Sequence, residues 1–334
     1  MKLICKYFSV IIFLIFLAAC DREEITNPGN DNIPPNTPIG LNVFGASDGE
    51  VGIEWIKNQE SNVTGYKIFR SVNNSNNFQY IGITSDNFYI DDSLDYDSTY
   101  YYSIKAVNRA RKESGFSEFV SAQPKNIYSP GPPIDVAATA KNSRDKILIK
   151  LSWRKPYDSD IKGFEIYRST TENFKTDTTT FLEFVPPGNI PYFDSYTDTS
   201  DIEILTRYYY KIKCVDKGDL KSYSSFEVSD LVLDEPELVS PTDKAVLNNL
   251  GEFKIITAGA EAVYKLIVQT NEIYGTVAEI EFESSKIHEE ITIAARNLIL
   301  NTNKTYYWRV FTYTNNNDEP NSYSGFFSFT LFSQ

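Results

Sequence analysis

One pattern is written three times in this chain, and it leaves few architectures open. Leu94 to Asn108, Ile202 to Asp216 and Leu300 to Thr314 repeat it. In each copy an apolar residue (Leu94, Ile202, Leu300) stands six positions before a tyrosine (Tyr100, Tyr208, Tyr306). Alternating inward positions follow: Tyr102, Ile104 and Ala106; Tyr210, Ile212 and Cys214; Trp308, Val310 and Thr312. That alternation is strand periodicity with a fixed corner before it. A tyrosine at such a corner can bury its ring and return its hydroxyl to backbone a few residues upstream, as in two-sheet sandwiches.

Length agrees with the repeat, since 334 residues exceed one sandwich of about 100 residues and suit three. Tyrosine and phenylalanine dominate the aromatic fraction and favour strands, and no window carries a long apolar stripe at helical spacing. An all-β fold is expected.

The N-terminus is a separate object. Lys2 and Lys6 form a short basic region, Tyr7 to Leu17 an apolar run, and Leu17-Ala18-Ala19-Cys20 a small-residue cleavage site. This is an export signal, too short to span a bilayer as a helix. Its end resembles the bacterial lipobox, which implies that Cys20 bears a diacylglycerol and becomes the mature N-terminus. Two or more acyl chains hold a protein to a bilayer where one does not. Loss of Lys2 and Lys6 leaves 30 basic against 45 acidic residues and moves the net charge from -13 to -15. So acidic a body is repelled by nucleic-acid phosphates and anionic headgroups. The residues after the anchor, Asp21-Arg22-Glu23-Glu24, resemble an export cue of some Bacteroidetes outer-membrane lipoproteins, while aspartate after the cysteine is also a retention cue in enteric bacteria. The expected address is the bacterial cell envelope, at the outer membrane, with the leaflet open.

Residues 1–19 are thus read as the signal and 20–36 as a flexible polar tether, with a reach of roughly 20 to 25 Å. Beyond it, Val51, Ile53 and Trp55 alternate, and eleven residues later Tyr66 opens Gly65-Tyr66-Lys67-Ile68-Phe69-Arg70-Ser71. After Ser129-Pro130-Gly131-Pro132-Pro133 the grammar returns: Ile147, Ile149, Leu151 and Trp153, then Phe164 in Gly163-Phe164-Glu165-Ile166-Tyr167-Arg168-Ser169. With Pro38 and Pro133 in front and the tyrosine corners behind, residues 37–125 and 130–234 resemble fibronectin type III domains. Residues 235–334 resemble a diverged third copy: Phe253 replaces tryptophan, Tyr264 keeps the eleven-residue distance, and Val263 replaces the glycine. The resemblance implies three tandem immunoglobulin-like sandwiches, and linkers of about five residues imply a bent, semi-rigid rod; the chain is expected to be a monomer.

Residues for catalysis are scarce. The one histidine, His288, has Ser285 and Glu289 near in sequence but no nucleophile-elbow signature around any serine, and is read as a solvated residue on a strand edge. No Cys/His pair has zinc spacing, and the clusters Asn315 to Asp318 and Asp198 to Asp201 lack calcium-loop spacing and read as turns. No cofactor is expected. With Cys5 in the signal and Cys20 at the anchor, Cys214 has no disulfide partner and reads as a small buried hydrophobe. The alternation turns Tyr101, Tyr209 and Tyr307 outward, where they could stack on sugar rings, anchor a protein interface or cover neighbouring strands. The expected function is a non-catalytic, lipid-anchored envelope protein that binds a partner or spaces it from the membrane. The alternatives are a glycan-binding accessory to a polysaccharide system and a hydrolase with an unrecognised site. Expected partners are the membrane through the anchor, and an envelope protein or extracellular glycan.

Overall fold

A computed structural model describes residues 30–143, 146–295, 298–314 and 319–332. The signal, Cys20 and the cluster Asn315 to Asp318 lie outside the described residues. All regular structure among the described residues is β. The chain divides into two compact units between Lys125 and Asn126.

The first unit holds β1 (Ile39–Ser47), β2 (Glu50–Ile56), β3 (Val63–Val72), β4 (Gln79–Thr84), β5 (Phe88–Asp91), β6 (Tyr100–Asn108) and β7 (Val120–Ala122). One sheet has the order β1-β2-β5 and the other β4-β3-β6-β7, all antiparallel. The second unit repeats this arrangement with β8 (Ile134–Ser143), β9 (Lys146–Arg154), β10 (Ile161–Ser169), β11 (Phe181–Val185), β12 (Phe193–Asp198), β13 (Arg207–Asp216) and β14 (Val228–Leu231): β8-β9-β12 faces β11-β10-β13-β14. It then adds a third sandwich from β15 (Glu237–Ser240), β16 (Ala245–Leu247), β17 (Glu252–Ile256), β18 (Ala262–Gln269), β19 (Thr276–Ser284), β20 (Glu290–Ala294), β21 (Lys304–Tyr313), β22 (Ser322–Tyr323) and β23 (Phe327–Leu331). Here β15-β17-β20 form one sheet, while β19-β18-β21-β23 extend the other, with β16 parallel to β23. This is the all-β array of sandwiches expected from the repeat.

Each sandwich fills its interior with the inward residues of the repeat. Trp55 meets Tyr66 edge to face at 5.1 Å, and Trp153 meets Phe164 at 5.2 Å. Both pairs join facing sheets, the geometry that ring quadrupoles favour. In the third sandwich Phe253 pairs with Trp308 at 4.9 Å, and Tyr264 stacks instead on Phe282 at 5.2 Å. Cys214 is fully buried, and burial pushes its thiol pKa up.

All three corners close alike. The backbone N–H groups of Asp95, Glu203 and Asn301 donate to the hydroxyls of Tyr100, Tyr208 and Tyr306 at 2.8, 3.0 and 2.8 Å. Tyr208 Oη also donates to the Asp201 carbonyl at 3.2 Å. Tyr208→Phe is therefore expected to lower stability by about 1 kcal/mol through the lost hydroxyl, and Tyr208→Ala by about 3 to 5 kcal/mol through the cavity. Urea denaturation of both variants checks this, and an unchanged alanine variant would refute the corner's role.

Glycine at 65 and 163 has a steric cause. An added Cβ at Gly65 would lie 2.8 Å from the Thr84 carbonyl, and at Gly163 it would lie 2.7 Å from that of Val185. Both sites adjoin a register shift against the neighbouring strand. In the third sandwich β18 pairs regularly through Val263 with Tyr313 and Glu283, so a side chain fits.

Two expectations about connections change. Residues 30–36 are docked: Asn108 Nδ2 donates to the carbonyls of Asp31 and Ile33 at 3.1 and 2.9 Å, and the Asn36 N–H donates to Glu60 Oε1 at 2.7 Å. The tether's final turn thus belongs to the first sandwich, because polar groups at the end of β6 need partners. At the joint of the second and third sandwiches no linker remains. Val232 enters one core and Leu233 the other, since adjacent extended residues point oppositely. Buried Asn321 accepts from Leu233 N–H at 2.9 Å and donates to the Leu231 carbonyl at 2.8 Å and Thr314 Oγ1 at 2.9 Å. Asn142 N–H donates to the Asn321 carbonyl at 2.7 Å, and a parallel bridge from Ser322 to Asn142 joins the two sheets.

Candidate binding surface

Outward positions of the four-stranded sheets hold the predicted tyrosines. Tyr101, Tyr209 and Tyr307 are each half-buried and belong to three different sandwiches. Tyr101 has company, with its ring 5.8 Å from Phe119. From there an unbroken run of rings crosses the outer face of β4-β3-β6-β7. Phe119 lies 6.5 Å from Phe78, Phe78 6.1 Å from Phe116, Phe116 4.9 Å from Phe69, and Phe69 5.9 Å from Tyr80. Tyr80, Phe116 and Phe119 are 55, 48 and 51 % exposed.

A serine brace positions this platform. The segment Ser114-Gly115-Phe116-Ser117 runs beside β6 before β7 begins, where ordinary ladder pairing is interrupted. Ser114 Oγ accepts from the Ala106 N–H and Ser117 Oγ from the Ile104 N–H, both at 3.0 Å. Each hydroxyl then donates to the next residue's carbonyl at 2.8 Å. The second sandwich repeats the device with Ser222 and Ser225 on Cys214 and Ile212, and the third uses Ser324 on Val310. The Ser-x-x-Ser spacing, present at 114–117 and 222–225, was the available sequence signal for it. Phe116, between the braced serines, is thereby held against Phe69.

Lysines complete the face. Lys105 Nζ sits 4.3 Å from the Phe116 ring centre and 5.6 Å from that of Phe69, while Lys67 Nζ sits 5.7 Å from that of Tyr80. Both lysines converge on Glu113. The hydrogen bond from Lys67, helped by Lys105, holds the Glu113 carboxyl below the usual carboxylate range. The cluster therefore keeps its charge balance under mildly acidic conditions.

No family model matches the chain. Over 174 residues, half of this chain, it is 23 % identical to Exoglucanase B of Cellulomonas fimi, of whose length it spans 15 %. Among solved structures, the FN1-FN3 domains of chicken CNTN1 align with 90 % of this chain and 100 % of theirs, at 13 % identity and a TM-score of 0.34.

The charged residues inside the sandwiches serve the fold. Asp198, expected in a turn, is instead the last residue of β12 and fully buried. It accepts from Arg168 Nη1 and Tyr210 Oη, both at 2.8 Å, and its other oxygen accepts from the Ser200 N–H at 3.0 Å. The facing sheet explains the correction, because a carboxylate at this point accepts from both β10's arginine and β13's phenol. Asp91 plays the same part for Arg70 at 2.9 Å and Tyr102 at 2.7 Å. Burial and then the neighbouring carboxylate push the phenols of Tyr102 and Tyr210 far above their ordinary range, so both remain donors. Arg70 and Arg168 also lie 5.6 and 5.2 Å from the rings of the corner tyrosines Tyr100 and Tyr208. In the third sandwich buried Val268 and Trp308 hold the register positions of this arginine and tyrosine.

His288 also departs from expectation. It lies in the bend before β20 with φ +49°, not on a strand, and its ring covers Gly259, where an added Cβ would meet Nε2 at 2.7 Å. Nε2 stands 3.5 Å from Asp234 Oδ2. Among the described residues no group of His, Cys, Asp and Glu side chains is placed to hold a metal ion. What these faces offer chemically is stacking and apolar contact.

Proposed function

We propose that this protein is a non-catalytic, lipid-anchored envelope protein whose sandwich array binds a partner or spaces it from the membrane. The observation that carries this reading is the aromatic platform of the first sandwich. Rings as open as Tyr80, Phe116 and Phe119, fixed on a braced backbone, bring a large contact area at little cost in ordering. The sandwiches' buried acids, by contrast, are engaged in folding contacts. Tyr101 extends the platform, and Tyr209 and Tyr307 offer lesser surfaces on the other sandwiches. Cys20 in its lipobox-like context supplies the anchor, at the outer membrane of a bacterial envelope. The likeness to part of Exoglucanase B favours a second reading, an accessory to a polysaccharide-degrading system.

Detergent phase partitioning tests the anchor. Wild-type protein is expected in the detergent phase and Cys20→Ala as uncleaved precursor or in the aqueous phase; equal partitioning of processed forms would sink the lipoprotein assignment. Purified protein is expected to turn over no glycan or peptide substrate. Hydrolysis that disappears in His288→Ala would overturn the non-catalytic reading.

A further inference from the structure

We infer that Arg309, on the outer face of the third sandwich, is the contact point for an aspartate or glutamate side chain of a partner protein; this rests on the non-catalytic binding reading and names the chemistry of its partner. Arg309 lies between the inward residues Trp308 and Val310 of β21, so it points outward with Tyr307 and Phe311. Its guanidinium carbon sits 4.3 Å from the ring centres of Phe311 and Phe326 and 5.9 Å from that of Tyr323. Rings attract the cation but give its N–H groups no oxygen to donate to. Nε is buried without an acceptor, and the guanidinium has no ion-pair partner among the described residues. Burial holds its pKa below the ordinary arginine value.

The second sandwich shows what is missing. Lys211 stands three residues after the corner Tyr208, as Arg309 does after Tyr306. Ser225 and Ser324 brace the next residues, Ile212 and Val310. Two positions beyond those serines come Glu227 and Phe326. Glu227 pairs with Lys211 at 3.2 Å. The third sandwich puts a phenyl ring at the matching place, so its cation lacks the carboxylate that the fold supplies elsewhere. On β18, Lys265 already has Glu281 at 3.7 Å, and Glu279 lies two strands from Arg309, about 10 Å by strand spacing.

The chemistry of the vacancy selects its occupant. A guanidinium offers a planar fork of donors that a carboxylate matches with two parallel bonds. The net charge of -13 opposes polyanions and a second copy of the chain at long range, whereas a single carboxylate among apolar residues meets that repulsion only once. Half-buried Tyr307, Phe311, Tyr323 and Phe326 flank the arginine, and tyrosine, phenylalanine and arginine are enriched at protein interfaces. Packing against these rings orders the guanidinium in advance, which lowers the entropy lost on binding.

The test follows the Arg309 Nε–H signal of the complete purified chain by NMR, assigned through its loss in Arg309→Lys, during titration with defined probes. These are a capped leucine-glutamate-leucine tripeptide, its glutamine counterpart and inorganic phosphate. The glutamate peptide is expected to shift the signal saturably, with the glutamine peptide about tenfold weaker, as fits the loss of a charged hydrogen-bond partner. Phe326→Glu keeps the arginine and restores the carboxylate that Glu227 supplies in the second sandwich. It is expected to weaken the glutamate peptide about tenfold at an undiminished melting temperature. If that variant is destabilised, the comparison of the two peptides on the wild-type chain decides alone. An Arg309 signal that no probe moves would overturn the assignment while leaving the non-catalytic binding reading standing. Equal affinity for the glutamine peptide would overturn it too, as would phosphate binding at least as tight as the glutamate peptide, or a well-folded Phe326→Glu variant that still binds the peptide as the wild type does. Concentration-dependent dimerisation in sedimentation that Phe326→Glu abolishes would reassign the carboxylate to a second copy of the chain. Cleavage of either peptide would instead count against the non-catalytic reading.

Discussion

Asp198→Ala is expected to lower the stability of the second unit by about 3 to 5 kcal/mol, the range for breaking one partner out of a buried ion pair. Removing the carboxylate leaves the buried Tyr210 hydroxyl without its acceptor and the Arg168 guanidinium without its counter-charge, both of which bond to Asp198 Oδ2 at 2.8 Å, and Arg168 keeps only the Ser200 carbonyl at 2.6 Å. A largely buried guanidinium without its counter-charge is costly because a neutral carbonyl replaces only part of the lost interaction. The chain itself indicates the compensating design, since its third sandwich places Val268 and Trp308 at the same register without an ion pair. Accordingly, the triple variant Arg168→Met, Asp198→Val and Tyr210→Phe should regain most of the loss, as apolar replacements of buried ion pairs often do. Urea denaturation of the single and triple variants decides the matter. A loss below about 0.5 kcal/mol in the single variant would show that Asp198 behaves as a surface residue.

Asn321→Ala is expected to cost about 3 kcal/mol and to separate the unfolding of the second and third sandwiches. Its side chain, in a residue only 2 % exposed, satisfies the Leu233 N–H, the Leu231 carbonyl and Thr314 Oγ1 together. Each orphaned buried group costs about 1 to 3 kcal/mol. The same residue's backbone carbonyl holds Asn142, so the joint of the two sheets depends on it. Calorimetry of the complete chain should show the second and third sandwiches melting together in the wild type and apart in the variant. If the two already melt separately in the wild type, the joint is not the cooperative link inferred from its hydrogen bonds.

Most of the fold was legible because its signals are local and repeated. The six-residue interval from Leu94 to Tyr100 places the ring inward and the hydroxyl at the Asp95 N–H, and the interval recurs at Tyr208 and Tyr306. Period-two alternation then separated Tyr102 from Tyr101 and Tyr210 from Tyr209. The binding surface was only partly legible. Alternation turned Tyr101 outward, yet the rings beside it come from β3, the approach to β4 and the segment before β7, whose neighbourhood depends on strand pairing. Asp198 was misread for a related reason: next to Thr199, Ser200 and Asp201 it has the composition of a turn, and only the approach of Arg168 and Tyr210 makes it a buried anchor.

By itself, then, the amino-acid order determined the strand positions, the inward faces and the corners, because each follows from spacing along one strand and from the chemistry of the side chain placed there. Tertiary structure alone decided the ring platform, the Arg-Asp-Tyr anchors and the fusion of the second and third sandwiches through Asn321. The physical reason is separation along the chain. Phe69 and Phe116, Arg168 and Asp198, and Leu233 and Asn321 lie dozens of residues apart, and only sheet pairing sets them within contact distance.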